Sequence, residues 1–384
     1  MRILQIISSA NPEGGGPIEV VNQTSDCLIK FGHEVSICTI DDPDSKWIME
    51  SKFKIYALRS FKKNKFGFSF SLLSWLKSNA KNFDVVIVNG IWEYMGLAVW
   101  LALHRSDIPY FVYPHGMLDP WFKNTYRLKH LKKILYWLLV EYRVLRDARN
   151  VLFTCEEEKL LARESFLPYK VNEAVSPLGI SAPPKNISNL TDKFINLFPN
   201  LRGKRIVLYI GRIHEKKGCD LLINAFAEII KSNDNLHLLI AGPDQNELAS
   251  TLKNKVQNLG ISNHVTWTGM LQDDQKWGAF HSAEVFCLPS HQENFGIVVI
   301  EALASAKPTL ISNKINIWRD ILNTQAGFVD EDTLDGTLRN FQRWLKLDES
   351  EYKQMSVNAQ KCFIEKFHID ISIKNLINIF NSKK

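Results

Sequence analysis

The sequence predicts an α/β protein built from two Rossmann-like, doubly wound parallel-sheet domains. Two observations lead to this class. Short apolar runs, continuous rather than alternating, are separated by longer stretches of helical periodicity, as expected when strands are buried on both faces. This rhythm stops in a polar stretch, residues 181–200, which contains Pro183 and Pro184 and resembles a linker, and then begins again. A length of 384 residues is sufficient for two domains.

The apolar runs define the expected strands. In the first half they are residues 3–7, 36–40, 55–58, 85–89, 110–113 and 151–153. In the second half they are residues 206–210, 236–241, 265–268, 285–288 and 309–311. Helical patterns lie between them, from residues 18–31 to a last helix at 369–380. Because ligands of open parallel sheets bind outside the carboxyl ends of the strands, the residues after each strand are the functional candidates.

Composition excludes several classes of protein. Hydrophobic residues make up 45% and charged residues 23% of the chain, which is typical of a globular protein. The net charge of +6 is too small to indicate nucleic-acid binding. Six cysteines are scattered without a CxxC pair, which favours a reducing compartment over a zinc site. The N-terminus has no signal-peptide pattern and no run reaches about 18 apolar residues, so we expect a cytoplasmic protein.

Two loops of the first half carry candidate residues. Gly14, Gly15 and Gly16 follow the first strand and precede a helix, so that the backbone can approach a ligand closely. They do not form the GxGxxG fingerprint, since position 19 is Glu19, and a flexible turn is the alternative. His115 directly follows a strand, where it either reaches a ligand or has only a structural role.

A basic loop follows the first strand of the second half. It contains Gly211, Arg212, Lys216 and Lys217, and ends at Gly218. Arginine offers a planar fork of donors and lysine a point charge, a combination that suits a diphosphate. A solvated basic turn is the alternative reading, and the choice between Lys216 and Lys217 as the phosphate ligand stays open.

The sharpest pattern follows the strand at 285–288. A polar loop with Glu293 leads to Gly296 and to a helix expected to begin near Phe295, whose amino end favours anions. Glu301 lies among apolar helical residues and needs a partner, because an uncompensated buried charge is costly. Helical rise places the two carboxylates about 10 Å apart, close to the distance from ribose to hexose in a nucleotide sugar. We infer that Glu301 binds the ribose, the amides near Gly296 bind the diphosphate and Glu293 binds the sugar. The alternative is that one is a surface glutamate and the other a core glutamate with hydrogen-bond partners of its own, neither with a role in binding.

These segments together resemble family 4 of the retaining glycosyltransferases, whose two-domain architecture is called the GT-B fold. The matching positions are Glu293 and Glu301 for a Glu-x7-Glu pattern, Gly211-Arg212 with Lys217-Gly218, Ala241-Gly242, and Thr268-Gly269-Met270. The first glycine loop and Pro114-His115-Gly116-Met117 are similar to the N-terminal domain of sugar transferases that assemble polysaccharides. Pro17 departs from the small or polar residue that the family often has there.

The resemblance implies two domains facing a central cleft. Residues 1–180 with a returning C-terminal helix in 366–384 would form the acceptor-side domain, and residues 181–365 the donor-binding domain. The resemblance also implies a reaction that needs no metal and no cofactor, because Arg212, Lys217 and a helix amino end would stabilise the leaving diphosphate. Gly16 would lend its amide to the diphosphate, His115 would contact the donor sugar near the reacting carbon, and the loop at Met270 would meet the base.

Three sets of site residues follow from these patterns. The residues expected to take part in catalysis are His115, Arg212, Lys217 and Glu293. The residues expected to bind the donor are Gly15, Gly16, Arg212, Lys217, Gly242, Met270, Leu271, Glu293, Asn294, Phe295, Gly296, Ile297 and Glu301. The residues considered for the acceptor are Trp92, Glu93, Tyr94 and Trp121. No residue is expected to bind a metal.

The expected activity is the transfer of a hexose with retention of configuration, in the synthesis of an exopolysaccharide or envelope polysaccharide. UDP-glucose is the first choice of donor and GDP-mannose the second, and the acceptor is a glycan or a lipid-linked sugar. A UDP-sugar 2-epimerase of the same fold and a non-catalytic nucleotide-sugar binder are the alternatives. An epimerised nucleotide sugar as product, rather than a released nucleoside diphosphate, would identify the epimerase.

One basic segment has no role in this chemistry. Residues 121–149 contain eight Lys and Arg residues interleaved with leucines and aromatic residues. The pattern suits an amphipathic helix on an anionic membrane surface, so that the protein would lie on the inner face of the cytoplasmic membrane. A helix packed on the core with a solvated basic face is the alternative.

Overall fold

The computed structural model describes residues 1–12, 16–61, 66–121, 123, 127–244 and 247–382. The chain divides into two compact units, which are Met1–Gly179 with Ile369–Lys384, and Ile180–His368. The sequence placed the corresponding boundaries after residues 180 and 365. Each unit contains one parallel sheet with helices around it, and the predicted fold class of two doubly wound parallel-sheet domains is confirmed.

Unit 1 has a seven-stranded parallel sheet in the order β3-β2-β1-β4-β5-β6-β7. The strands are β1 Arg2–Ile6, β2 Glu34–Thr39, β3 Lys54–Ala57, β4 Val85–Asn89, β5 Tyr110–Tyr113, β6 Asn150–Phe153 and β7 Glu173–Val175. The α-helices are Gly16–Lys30, Lys46–Met49, Phe70–Asn79, Tyr94–Leu103, Arg127–Tyr136, Tyr142–Asp147, Glu156–Ala162 and Ile369–Asn381. A π-helical turn, Trp137–Glu141, joins two of these helices.

The last helix of the chain belongs to unit 1. It packs beside the helix Gly16–Lys30, where the Sγ of Cys27 lies 3.5 Å from the Oδ1 of Asp370. At Gly179 the chain passes so close to this helix that a Cβ atom would lie 2.6 Å from the Cα of Ile369. A residue with a side chain would therefore separate the two segments.

Unit 2 has a six-stranded parallel sheet in the order β10-β9-β8-β11-β12-β13. The strands are β8 Arg205–Ile210, β9 Leu236–Ala241, β10 Val265–Gly269, β11 Val285–Leu288, β12 Thr309–Ser312 and β13 Gly327–Asp330. The α-helices are Ile187–Leu197, Cys219–Ile229, Leu248–Asn258, Asp273–Ser282, Ile297–Ala304, Trp318–Asn323, Leu334–Leu345 and Glu349–Cys362, the last continued by the π-helical turn Phe363–Phe367.

The strand predictions are correct for all eleven apolar runs, each of which overlaps an observed strand. Two sheet-edge strands, β7 and β13, were not predicted, because their short sequences mix apolar residues with Glu, Gly or Asp. The polar stretch at 181–200 is not a simple linker. It contains the helix Ile187–Leu197, which buries Leu190 and Phe194 against the helix Asp273–Ser282.

In both sheets the strand order reverses beside the first strand, between β1 and β4 in unit 1 and between β8 and β11 in unit 2. Loops that leave such neighbouring strands diverge and open a crevice at the carboxyl edge of the sheet. The candidate motifs lie in these loops. All six cysteines are buried, and none of them forms a disulfide. Within the described ranges, no helix is both long and apolar enough to cross a membrane.

Candidate functional site

The loops after β8 and β11 are fastened to each other at the carboxyl edge of unit 2. The hydroxyl of Ser290 donates a hydrogen bond to the carbonyl of Lys216 at 2.8 Å, and the amide of His291 donates to the same carbonyl at 2.7 Å. Gly218 has a left-handed backbone with φ of 65°, and a Cβ there would lie 2.1 Å from the carbonyl oxygen of Pro289. Glycine is therefore required for this contact.

This fastening brings Lys217 and Glu293 together. The Nζ of Lys217 bonds to the Oε2 of Glu293, and both side chains are largely buried. The backbone of Glu293 is held from the other side by the segment after β12, since its amide donates to the carbonyl of Lys314 at 3.0 Å and its carbonyl accepts from the amide of Asn316 at 3.1 Å. Two residues predicted to contact the donor thus meet across the strand reversal, and Lys217 rather than Lys216 extends toward Glu293.

The helix after Glu293 begins at Ile297, two residues later than expected, with Gly296 as its left-handed N-terminal residue at φ of 68°. Its first-turn amides lie at the carboxyl edge of the sheet, where an anion could accept their hydrogen bonds. The Asn294 side chain is held by Asn316, whose Nδ2 donates to its Oδ1 at 3.2 Å. The Phe295 ring is buried against Phe367, so any contribution of Phe295 to donor binding would come from its backbone.

Glu301 is buried in the same helix and has a specific partner. The Nζ of Lys276, from the helix Asp273–Ser282, lies 2.6 Å from its Oε1. The expectation that a carboxylate at this apolar position needs a partner is thus met by a residue that the sequence analysis did not consider. Binding of ribose by Glu301 stays a prediction, as does its distance from Glu293. Residues 293–296 precede the helix, so helical rise does not apply to all eight residue steps from Glu293 to Glu301.

The remaining donor-site candidates of unit 2 follow β8, β9 and β10. Arg212 is exposed, and its carbonyl accepts a hydrogen bond of 2.9 Å from the buried Tyr209 hydroxyl. Gly242 allows β8 and β9 to end close together, because a Cβ there would lie 1.8 Å from the carbonyl oxygen of Gly211. Met270 is exposed beyond β10, whereas Leu271 is buried.

His115 lies at the corresponding edge of unit 1, held by a buried amide. Asn89 donates through Nδ2 to the Oε1 of Gln5 at 2.8 Å and to the carbonyl of Ile6 at 3.3 Å. Its Oδ1 is therefore the acceptor toward the Nε2 of His115, at 3.2 Å, so that Nε2 carries the proton. Burial lowers the pKa of His115 to about 4, and the imidazole is neutral at pH 7 with Nδ1 unprotonated.

A buried glutamate fixes the turn that presents His115, whose backbone is left-handed with φ of 48°. The Oε1 of Glu158 accepts from the amide of Gly116 at 2.6 Å, and its Oε2 accepts from the amide and the hydroxyl of Thr154 at 2.6 and 2.7 Å. The sequence analysis missed Glu158 and Asn89. Asn89 could have been noticed as the polar residue that ends a strand of otherwise apolar residues.

The candidates for the acceptor differ in their surroundings. Trp92 has a left-handed backbone with φ of 71°, its amide donates to the Oε2 of Glu141 at 2.9 Å, and the Nζ of Lys133 lies 4.5 Å from its ring centre. Tyr94 is buried in the hydrophobic core of unit 1, and the amide of Trp121 donates to the Oδ1 of Asp119 at 2.8 Å.

Glu93 borders a cavity of about 510 Å³ at the carboxyl ends of β1 to β4, and burial raises its pKa above the usual range. Gly15 lies outside the described residues, and Gly16 is the first residue of its helix.

Carboxylate clusters suited to a metal are absent from the part of the chain that the structure describes. Two Asp-x-Asp triplets occur, at 42–44 and 330–332, and arginines pair with both. Arg59 contacts Asp42 and Asp44, and Asp330 accepts from Arg339 and Arg343. Independence of metals and cofactors stays a prediction.

Two doubly wound units, with the candidate motifs at their strand reversals, are the architecture of the GT-B glycosyltransferases. Two family models match the chain. The Glycosyl transferase 4-like domain covers residues 15–179, and Glycosyl transferases group 1 covers residues 192–362. The chain belongs to family 4 of the GT-B glycosyltransferases.

Individual proteins agree with this assignment. Mannosylfructose-phosphate synthase from Agrobacterium fabrum is 33% identical over 141 residues, which is 35% of this chain and only 31% of that protein. Alpha-monoglucosyldiacylglycerol synthase from Streptococcus pneumoniae is 25% identical over 325 residues, covering 81% of this chain and 70% of that protein. The structure of HepE from Anabaena in complex with UDP and glucose matches with a TM-score of 0.76 and 15% identity, covering 100% of both chains, and so shares the fold.

Proposed function

We propose that the protein is a retaining hexosyltransferase that moves glucose from UDP-glucose to a glycan or lipid-linked acceptor in polysaccharide synthesis. The observation that carries this proposal is the pairing of Lys217 with Glu293 directly before the amino end of the helix Ile297–Ala304. A diphosphate needs cations and amides, and a hexose needs a carboxylate that accepts from its hydroxyls. These groups lie at one edge of one sheet.

In the proposed reaction, negative charge develops on the departing diphosphate. The first-turn amides of the helix are fixed by the backbone and can stabilise this charge, and Lys217 and Arg212 would add two cations. Glu293 would accept hydrogen bonds from the sugar and balance the charge of Lys217 while no donor is bound. His115, neutral at pH 7, would contact the donor sugar near the reacting carbon, which supports attack from the face of the leaving group and hence retention.

The choice of donor rests on relatives. HepE, a structural neighbour, was solved with UDP and glucose, which favours UDP-glucose. Mannosylfructose-phosphate synthase and a phosphatidyl-myo-inositol mannosyltransferase among the relatives keep GDP-mannose as the second candidate. Thermal-shift measurements with UDP, GDP, UDP-glucose and GDP-mannose distinguish them, because a ligand at about 100 times its dissociation constant stabilises the folded protein by about 2.7 kcal/mol.

The site is tested by Lys217→Ala and Glu293→Ala, assayed by release of nucleoside diphosphate and formation of glycoside. We expect each substitution to lower kcat/KM at least about tenfold, which is about 1.4 kcal/mol of transition-state stabilisation. The matched control is Lys204→Ala, since Lys204 is an exposed lysine just before β8, at the opposite end of the strand from Lys217. Near-normal turnover in both site variants would contradict the assignment.

The stereochemistry and the reaction type need separate measurements. The anomeric configuration of the product, read by NMR, should match that of the donor sugar. An epimerised nucleotide sugar formed without an acceptor would instead identify a 2-epimerase. Nucleotide binding without turnover on any acceptor would favour a non-catalytic binder.

We propose that the protein acts in the cytoplasm, at the inner face of the membrane where lipid-linked acceptors are exposed. The basic character of residues 121–149 supports this location.

A further inference from the structure

The turn that presents His115 has a third support besides Asn89 and Glu158. The Nε1 of Trp92 donates a hydrogen bond to the carbonyl of Met117 at 3.2 Å, two residues beyond His115. The backbone of His115 is left-handed, with φ of 48°. Since a residue with a side chain adopts this conformation only where its surroundings impose it, each support of the turn helps to fix the position of the imidazole.

Trp92 is itself held in an uncommon conformation. Its backbone is left-handed, with φ of 71°, and its amide donates to the Oε2 of Glu141 at 2.9 Å. The centre of its ring lies 5.0 Å from that of Phe166, 6.1 Å from that of Trp137 and 4.5 Å from the Nζ of Lys133. The indole is therefore held at its backbone, at its ring and at its Nε1, and its single donor is used by the turn.

The carboxyl group of Glu141 carries a cost that core packing does not explain. It is almost fully buried, and its Oε1 has no hydrogen-bond partner among the residues that the structure describes. Burial of a carboxyl group is unfavourable unless hydrogen bonds compensate it. An apolar side chain of similar volume would avoid this cost but would leave the Trp92 amide without its acceptor. An acid at this position is therefore explained if the conformation of Trp92 matters to the site.

We propose that Trp92 is a positioning residue for His115, with Glu141 as its anchor. This inference rests on the proposed transferase function, in which the imidazole contacts the donor sugar. The path is continuous, because Glu141 holds the Trp92 backbone and the Trp92 indole holds the carbonyl of Met117 in the turn. A misplacement of about 1 Å can lower the rate of an enzyme about a hundredfold, so this path bears on turnover. The role differs from the acceptor contact that the sequence predicted for Trp92.

The test compares Trp92→Phe with the matched control Trp100→Phe. Both substitutions keep an aromatic ring and remove an indole donor. Trp100 lies in the second turn of the helix Tyr94–Leu103 and donates to the Oδ2 of Asp147 at 2.8 Å. The kinetics of UDP release from UDP-glucose give kcat, and calorimetry gives the Kd of UDP. We expect Trp92→Phe to lower kcat at least about tenfold without a change in the Kd of UDP, because the proposed diphosphate ligands belong to unit 2. Trp100→Phe should keep both values.

Two further variants test the anchor. Glu141→Gln keeps an oxygen that can accept from the Trp92 amide, so it should keep kcat. Glu141→Leu removes the acceptor and should lower kcat as Trp92→Phe does. Thermal unfolding shows whether each variant is folded at the assay temperature, and the two tryptophan variants decide the question if Glu141→Leu does not fold.

The ring nitrogens of His115 provide a readout that a loss of stability alone does not change. In protein labelled with 15N-histidine, the His115 signals are identified by their absence from His115→Gln. At pH 7 the unchanged protein and Trp100→Phe should carry the proton on Nε2 and none on Nδ1, because Asn89 accepts from Nε2. Trp92→Phe should show a mixture of the two tautomers, since the turn is no longer held at Met117.

Four results would overturn the proposal. They are a normal kcat in Trp92→Phe, an equal loss of kcat in Trp100→Phe, a loss of UDP binding that matches the loss of kcat, and an unchanged His115 tautomer in a Trp92→Phe protein that has lost activity. Absence of UDP release from the unchanged protein would contradict the transferase function instead. The tautomer comparison would then still show whether Trp92 positions His115.

Discussion

Glu141 makes the stability of unit 1 depend on pH in a way that a single substitution can isolate. Its side chain is only 1% exposed, and its Oε2 accepts the amide of Trp92. Burial raises its pKa from 4.5 to about 7, with Glu93 adding to the rise, while the Trp92 hydrogen bond and Lys133 act in the opposite direction. Glu141→Gln keeps an acceptor for Trp92 and removes the titration.

The direction of the pH effect on stability follows from the protonation of Glu141 in the folded and unfolded states. Between pH 4.5 and about 7 the folded protein keeps the Glu141 proton that the unfolded chain has lost, so the free energy of unfolding falls as pH rises through this window. Above it, the full difference corresponds to about 3 kcal/mol. Most of this difference, about 2–3 kcal/mol, develops between about pH 5 and about pH 8.

Equilibrium urea unfolding at about pH 5 and about pH 8 measures this effect, followed by the fluorescence of tryptophans such as Trp92 and Trp137 near Glu141. Groups that do not interact with Glu141 titrate equally in both proteins and cancel in the comparison. We expect the free energy of unfolding of Glu141→Gln to gain about 2–3 kcal/mol over that of the unchanged protein on going from the lower to the higher pH. The matched control is Glu164→Gln, an exposed glutamate of unit 1, which should gain nothing comparable. An identical pH dependence for Glu141→Gln and the unchanged protein would refute the reasoning.

Two further predictions concern the loops of the candidate site. Gly218→Ala should lower the free energy of unfolding by about 2–4 kcal/mol and impair transfer, because its Cβ would meet the carbonyl of Pro289. The control is Gly203→Ala, because Gly203 has a similar left-handed backbone with φ of 73° but open space around it. A loss of stability in Gly203→Ala as large as that in Gly218→Ala would argue against a clash with Pro289 as the cause. The free energy of unfolding should depend less on acid pH in His115→Gln than in the unchanged protein. The pKa of His115 is about 4 in the folded protein and 6.5 in the unfolded chain, so the unchanged protein loses stability as pH falls from 6.5 toward 4. Thermal unfolding across this range checks it, and an unchanged acid slope would contradict it.

The sequence predicted the central strands well because their physics is local. Runs such as Val85–Asn89 and Val285–Leu288 are apolar at nearly every position, as only strands covered on both faces can be. The edge strand Glu173–Val175 is half covered and three residues long, so its composition does not differ from that of a loop. The helix Ile187–Leu197 was hidden for a related reason. Its asparagines and the preceding prolines outweighed two buried residues, Leu190 and Phe194, that define its inner face.

The residues of the candidate site likewise divide into those that could be predicted from the sequence and those that could not. Glu293, Lys217 and His115 could be selected because each lies next to a strand end within a recognisable local pattern. The residues that hold Glu301 and the His115 turn could not be selected, since Lys276, Asn89 and Glu158 come from separate elements that only the folded sheet edge brings near. The predicted start of this helix near Phe295 was also two residues too early. Gly296 has a left-handed backbone, so the helix begins only at Ile297.

The segment 127–147 illustrates a limit of periodicity itself. Its apolar residues occupy both sides of the helix, so the pattern alone equally fits a core-packed helix and a membrane-surface helix. Packing accounts for one of these sides, because Trp137 and Val144 are fully buried while Leu135 and Leu139 stay exposed. A helix that needed only to cover the core would gain nothing from the second row, since exposed leucines add no burial and invite association. The outward row is therefore the part of this segment that packing among the described residues does not explain.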